Sequence, residues 1–212
     1  MDSILPHMDL GQALAMLEGT LAELRDCQAR LETSEAQLDE MNKLVFEQSA
    51  TDALTGLKNR TAYERIMNQQ SARTGRSRVP LSVVMVDVDH CGAYNQEFGR
   101  IGGDDILQRV AQVLKSHARA YDYVVRYNND EFAVVLPDTP APAAMVVAER
   151  ARLAINAIAW RHRPMTVSVG VAVAAPGEPA DAPAKSVTER ALAALATAKA
   201  QGGNRCMADV PG

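Results

Sequence analysis

The sequence predicts an α/β domain, a central sheet flanked by helices, preceded by one long coiled-coil helix. Three observations carry that expectation. Leucines recur every seven residues from Leu10 to Leu38. Two apolar runs, Leu81 to Val86 and Met165 to Val173, have the length and β-branched content of strands covered on both faces. Stretches with helical spacing alternate with these runs, and one acidic hairpin lies between them.

The N-terminal helix is expected over residues 8–49. Leu10, Leu17, Leu24, Leu31 and Leu38 occupy the d position of a heptad, and Val45 continues the series. The a positions are Leu14, Leu21, Gln28, Glu35 and Asn42. Leucine at d with a polar a position such as Asn42 suits a parallel dimer. The seam weakens from Gln28 onward, because two copies of Glu35 would face each other across it. The competing reading is an amphipathic helix packed on its own domain. Residues 1–49 are thus read as a dimerisation helix and 50–212 as the globular domain. A homotypic pair and a pairing with another protein both remain open.

Gly56 breaks the helix, and Asn59 can cap the next one, expected over residues 61–70. An Arg/Ser/Gly-rich loop is expected at 71–79. The apolar strand then ends in Asp87-Val88-Asp89, where a buried carboxylate is costly unless paired or metal-bound. A helix from Gln108 to His117 presents Leu107, Val110, Ala111, Val113 and Leu114. In Arg126-Tyr127-Asn128-Asn129-Asp130-Glu131-Phe132, the Asn pair reads as a hairpin turn, since Asn tolerates positive φ. The remaining elements are a helix at 141–158, the second apolar strand, a Pro/Ala/Gly-rich loop at 174–185 and a helix at 186–201.

Composition narrows the function classes. A net charge of −4 over 212 residues argues against a nucleic-acid-binding surface. Cys27, Cys91 and Cys206 are too few and too scattered for a disulfide framework and suit a reducing cytoplasm. There is no basic region followed by an apolar run at the N-terminus, so no signal peptide is expected. No stretch of about 18 apolar residues exists, so no membrane span is expected. His7, His90, His117 and His162 have no metal-ligand spacing.

The lead-in segment Thr51-Asp52-Ala53-Leu54-Thr55-Gly56-Leu57-Lys58-Asn59-Arg60 resembles the D-x-L-T-G-L-x-N-R motif of the GGDEF family, the diguanylate cyclases and their degenerate relatives. The hairpin resembles the family's signature, with Asn128-Asn129 in place of Gly-Gly. The resemblance covers residues 50 to about 208. It implies joining of two GTP molecules into cyclic di-GMP, with Mg²⁺ as cofactor and each half held by one protomer of a dimer. It places Asp87, Asp130 and the Val88 carbonyl as metal ligands. Glu131 becomes either a metal ligand or a general base. Asn95 and Asp104 are placed on guanine, and Lys199 on phosphate. Arg119-Ala120-Tyr121-Asp122 matches the R-x-x-D inhibitory site for cyclic di-GMP, with Arg150 as a secondary arginine expected from a neighbouring protomer. Arg supplies the planar fork that matches a guanine edge or a phosphate.

Several positions depart from the family. Cys91-Gly92 stands where Phe-Lys is usual, Gln96 where Asp is, and Arg100 where His is. Ala196 replaces a Tyr and Gly203 a phosphate-binding Arg, with Arg205 close by. Removing two cations and adding two side chains at the turn should weaken triphosphate binding by about a hundredfold or more. Three functions therefore compete: a degenerate member that binds cyclic di-GMP with little or no synthesis, a working cyclase, and a coiled-coil scaffold.

Overall fold

The computed structural model describes residues 10–77, 79–174 and 183–209. Its sheet is built on β1 (Leu81–Val88), every residue of which is buried. β1 pairs antiparallel on one side with β3 (Glu131–Pro137) and on the other with β4 (Val167–Ala174). β2 (Tyr123–Arg126) adds antiparallel to β3, and β5 (Cys206–Asp209) adds parallel to β4. The strand order is β2-β3-β1-β4-β5. The unbroken apolar run of β1 reflects two covered faces, because alternate side chains point to opposite sides. Val84, Val86 and Val88 pack in a cluster with Ile106, Val110, Phe132 and Ile155 on one side. Val83 and Met85 pack with Tyr63, Met67, Ala191 and Leu195 on the other.

The helices follow the same two-layer logic. α3 (Cys91–His117) and α4 (Ala141–Asn156) cover the first face. α2 (Arg60–Ser77) and α5 (Pro183–Ala200) cover the second. α5 lies hard against β4 at Gly170, where an added Cβ would meet the Ala191 carbonyl oxygen and the Leu195 backbone. Any side chain there would lift the helix off the sheet. Asn59 caps α2 as expected, its Oδ1 accepting the Ala62 N–H at 3.0 Å.

Four expectations need correction. Residues 71–77 continue α2 instead of forming a loop, because Ser71 and Thr74 are buried and Arg73 pairs with Asp138 at 2.8 Å. Helix α3 begins at Cys91, with a kink at Gly99 (φ 77°, ψ 166°). Its four glycines hide the helical pattern ahead of Gln108. Strand β5 is four residues long, Cys-Met-Ala-Asp, too short to be read as one. The hairpin forms, but neither Asn128 nor Asn129 has positive φ; among the described residues only His90, Asp138 and Asn204 do so outside glycine. The turn is closed by the Tyr127 and Asn128 N–H groups, both donating to the Glu131 carbonyl. Most of the expected 174–185 loop lies outside the described residues.

The chain divides into Met1–Gln48 and Ser49–Gly212. In the first unit α1 (Leu10–Ser49) is one continuous helix. Leu14, Leu17, Leu21, Leu24, Leu31 and Leu38 on it are 49–65% exposed. The side chains of Leu10, Asn42 and Val45 lie outside the described residues. No helix among the described residues is long and apolar enough to cross a membrane.

Candidate functional site

The register of β1 on β3 sets Asp87 directly opposite Glu131. The chain leaves both strands at this edge, where Asp87, Val88, Cys91, Gly92, Asp130 and Lys199 line a cleft of about 340 Å³. Asp87 is the buried member, its side chain only 6% exposed. Lys199, from the last turn of α5, donates from Nζ to Asp87 Oδ2 at 2.6 Å. Burial nevertheless outweighs that pairing and pushes Asp87 up to about 6, with Asp130 and Glu131 adding repulsion.

Asp89, two residues on, has a different task. Its carboxylate accepts the Thr166 and Ser168 hydroxyls at 2.6 Å each and the Asn204 N–H at 3.0 Å. A buried carboxylate with three donors is a structural clamp. It ties β1 to β4 and to the loop after α5. That loop passes close by: Gly203 has φ 73°, and a Cβ there would sit 3.1–3.2 Å from the Asp89 carboxylate. An arginine at 203 would therefore be strained as well as crowded. Arg205 is held locally, donating to the Gly203 carbonyl and to Gln201 Oε1. By contrast, a Cβ at Gly92 meets nothing within 4 Å.

A second cleft of about 470 Å³ adjoins the first and shares Cys91, Gly92 and Asp130 with it. Asn95, Arg100, Asp104, Leu107, Arg126 and Asn129 complete its lining. The Asn95 Oδ1 is buried without a hydrogen-bond partner and faces Gly103, where a Cβ would collide with it. An orphaned amide oxygen in such a cleft is suited to a donor from outside the chain. Glu131 and Asn128 line neither cleft. The residues assigned to metal, guanine and phosphate thus converge, with Glu131 behind them on the strand.

Arg126 lies outside the residues that the family resemblance singles out, yet it holds the turn. Its Nη1 donates to both oxygens of Asp52 at 3.0 Å, and its Nε and Nη2 donate to the Asn129 carbonyl. Asp52 also accepts the Thr55 N–H and hydroxyl. Those bonds and Arg126 hold its carboxyl below its ordinary value despite burial. The signal was available in sequence, as an Arg two residues ahead of the Asn pair and an Asp in the lead-in motif. Only the fold reveals that they meet.

Arg119, Asp122 and Arg150 lie elsewhere. The Arg119 N–H donates to Asp122 Oδ2 at 2.7 Å, and its guanidinium reaches the Tyr121 hydroxyl at 3.1 Å. Asp122 Oδ1 is buried without a partner, and burial raises that carboxyl against the pull of Arg119 and Arg150. Arg150 of the same chain donates to the His117 carbonyl at 2.8 Å.

No three His, Cys, Asp or Glu side chains among the described residues converge closely enough to hold a metal ion unaided. Asp87, Asp130 and the Val88 carbonyl form a partial oxygen set. That fits an ion such as Mg²⁺, which takes one or two carboxylates and completes its shell with water and substrate phosphates.

The titration of Asp87 carries a test. Its folded value lies above the ordinary 3.8, so the stability it permits is fully present below that value and lost as pH rises to about 6. The displacement corresponds to at most about 3 kcal/mol. In metal-free buffer, Asp87→Asn should match the natural chain near pH 4 and exceed its melting temperature above pH 7. A gap that stays constant with pH would refute the assignment.

The chain belongs to the GGDEF family: residues 49–205 match the family described as diguanylate cyclase, GGDEF domain. It is 33% identical over 159 residues to diguanylate cyclase DgcP of Pseudomonas aeruginosa, covering 75% of this chain and 24% of that protein. It is 32% identical to diguanylate cyclase A of Treponema denticola, covering 77% of this chain and 45% of that one. The chain thus spans less than half the length of these relatives. The solved GGDEF domain of DgcB from Caulobacter crescentus, in complex with c-di-GMP, is 30% identical with a TM-score of 0.71. It covers 76% of this chain, and the match covers 93% of that domain. The DgcB structure that includes a coiled coil covers 90% of this chain and 99% of its own, at 29% identity and a TM-score of 0.74.

Proposed function

We propose that this chain is a GGDEF-type module of cyclic di-GMP signalling that binds cyclic di-GMP at Arg119 and Asp122 and synthesises little or none. One observation carries this reading. The Arg119–Asp122 turn keeps an exposed guanidinium, resting on the Tyr121 hydroxyl, and an unpartnered buried carboxylate oxygen, while the first cleft has glycines at 92 and 203 and Lys199 as its cation. Relatives of known structure that hold c-di-GMP support the ligand class. Arg150 contributes from the same chain, beside the His117 carbonyl. The module works as a homodimer through α1, in the cytoplasm, and its coil is the surface a protein partner would use.

The synthesising alternative is favoured by the convergence of Asp87, Asp130, Asn95, Asp104 and Lys199. In it, GTP would occupy the two adjoining clefts, and Asp87, Asp130 and the Val88 carbonyl would hold Mg²⁺, which would supply charge neutralisation for the triphosphate. Asn95 and Asp104 orient the base, Lys199 leaves Asp87 for phosphate, and Glu131 stays a ligand or base in reserve on β3.

Calorimetry with cyclic di-GMP tests the binding reading. Arg119→Ala should lower affinity about tenfold or more, the size of a charge-assisted contact. Equal affinity in both proteins, or no binding to either, removes the receptor reading and leaves the scaffold.

A further inference from the structure

The Arg119 turn opens into a cavity of about 470 Å³ whose opposite wall is the lead-in turn. Thr51, Leu57, Lys58, Lys115, Arg119 and Asp122 are among its lining residues. Three cations and a single carboxylate thus share one cavity in a chain of net charge −4. Neither lysine enters an ion pair among the described residues. Uncompensated cations gathered on a concave wall raise the local potential and favour an anion. A volume of this size falls within the range of small-molecule sites, about 300–1,000 Å³.

The two lysines come from separate elements, each fixed independently. Lys115 is in the basic last turn of α3. Lys58 is locked through its backbone: its carbonyl accepts the Arg126 N–H at 2.8 Å, and it forms a β-bridge with Val125. Arg126 is the same residue that grips Asp52 and the Asn129 carbonyl. The wall opposite Arg119 is therefore stiff, with the lysine side chain left exposed.

We propose that Lys58 and Lys115 are phosphate-holding cations of this cavity, so that a guanine-bearing ligand with two phosphates is gripped by the lead-in turn as well as by Arg119 and Asp122. This rests on the cyclic di-GMP reading above. Asp122 Oδ1, buried and unpartnered, takes the guanine donors; the lysines take phosphate oxygens as mobile point charges. Specificity for two phosphates follows, since a ligand with one can satisfy only one of them.

The test is calorimetry with cyclic di-GMP on the full chain, on Lys58→Gln, on Lys115→Gln and on the double variant. Each single change should weaken binding about tenfold and the double about a hundredfold. The double variant should also show a flatter dependence of affinity on salt. Melting temperatures should stay unchanged, because both side chains are exposed. Hydrogen exchange supplies a second readout: ligand should protect the amides of residues 51–58 together with those of 118–122. A double variant that binds within about twofold of the natural chain, with Arg119→Ala still defective, overturns the lysine assignment and leaves the receptor reading intact. Protection confined to 118–122 overturns it equally. Failure of the natural chain to bind overturns both.

Discussion

Incubated with GTP and Mg²⁺, the purified chain is expected to yield cyclic di-GMP only at background level. Two positions that would present cations to the phosphates are glycines, Gly92 and Gly203, and Arg205 is engaged with Gly203 and Gln201. Each lost charge-assisted contact is worth about 1.5–3 kcal/mol, so the pair costs about a hundredfold or more. The Asn pair adds bulk at the cleft, where Asn129 is a lining residue. Its backbone needs no glycine, however, so Asn128→Gly with Asn129→Gly restores space alone and should help only partly. Gly92→Lys enters open space and should add about tenfold on top. Gly203→Arg should not help, because the strained backbone and the Asp89 clamp stand against it. Nucleotide chromatography of the reaction decides: clear product from the natural chain would establish the cyclase reading.

Leu24→Pro is expected to convert a dimer to a monomer. Proline in a helix interior costs about 3 kcal/mol or more, and residue 24 lies in the stronger, N-terminal half of the seam. The leucines of α1 described on its seam are exposed and recur every seven residues, which is why a second copy is the expected occupant. Sedimentation of the natural chain at roughly tens of micromolar, where a coil of this length should pair, should report a dimer. Leu31→Cys should cross-link to itself under mild oxidation, as same-residue contact at d requires parallel strands. A natural chain that sediments as a monomer would end the dimer reading.

The sequence by itself determined what depends on local pattern. The heptad specified one long helix, the apolar runs specified β1 and β4, and Asn59 specified a capped start to the next helix. The fixed letters of the lead-in segment and hairpin were enough to recognise the family. What it could not supply were the consequences of residues meeting from distant parts of the chain. Nothing local distinguishes Asp87 from Asp89, yet one is buried against Lys199 and the other is clamped by Thr166, Ser168 and Asn204. The Asp52–Arg126 pair joins residues 74 apart, and the crowding that a side chain at Gly203 would meet, on top of its positive φ, comes from Asp89. Periodicity reports which face of an element is buried; it carries no information on which neighbour buries it. Hydrogen-bond partners, displaced carboxyl titration and the empty space at Gly92 are properties of that neighbour, and only the tertiary structure decided them.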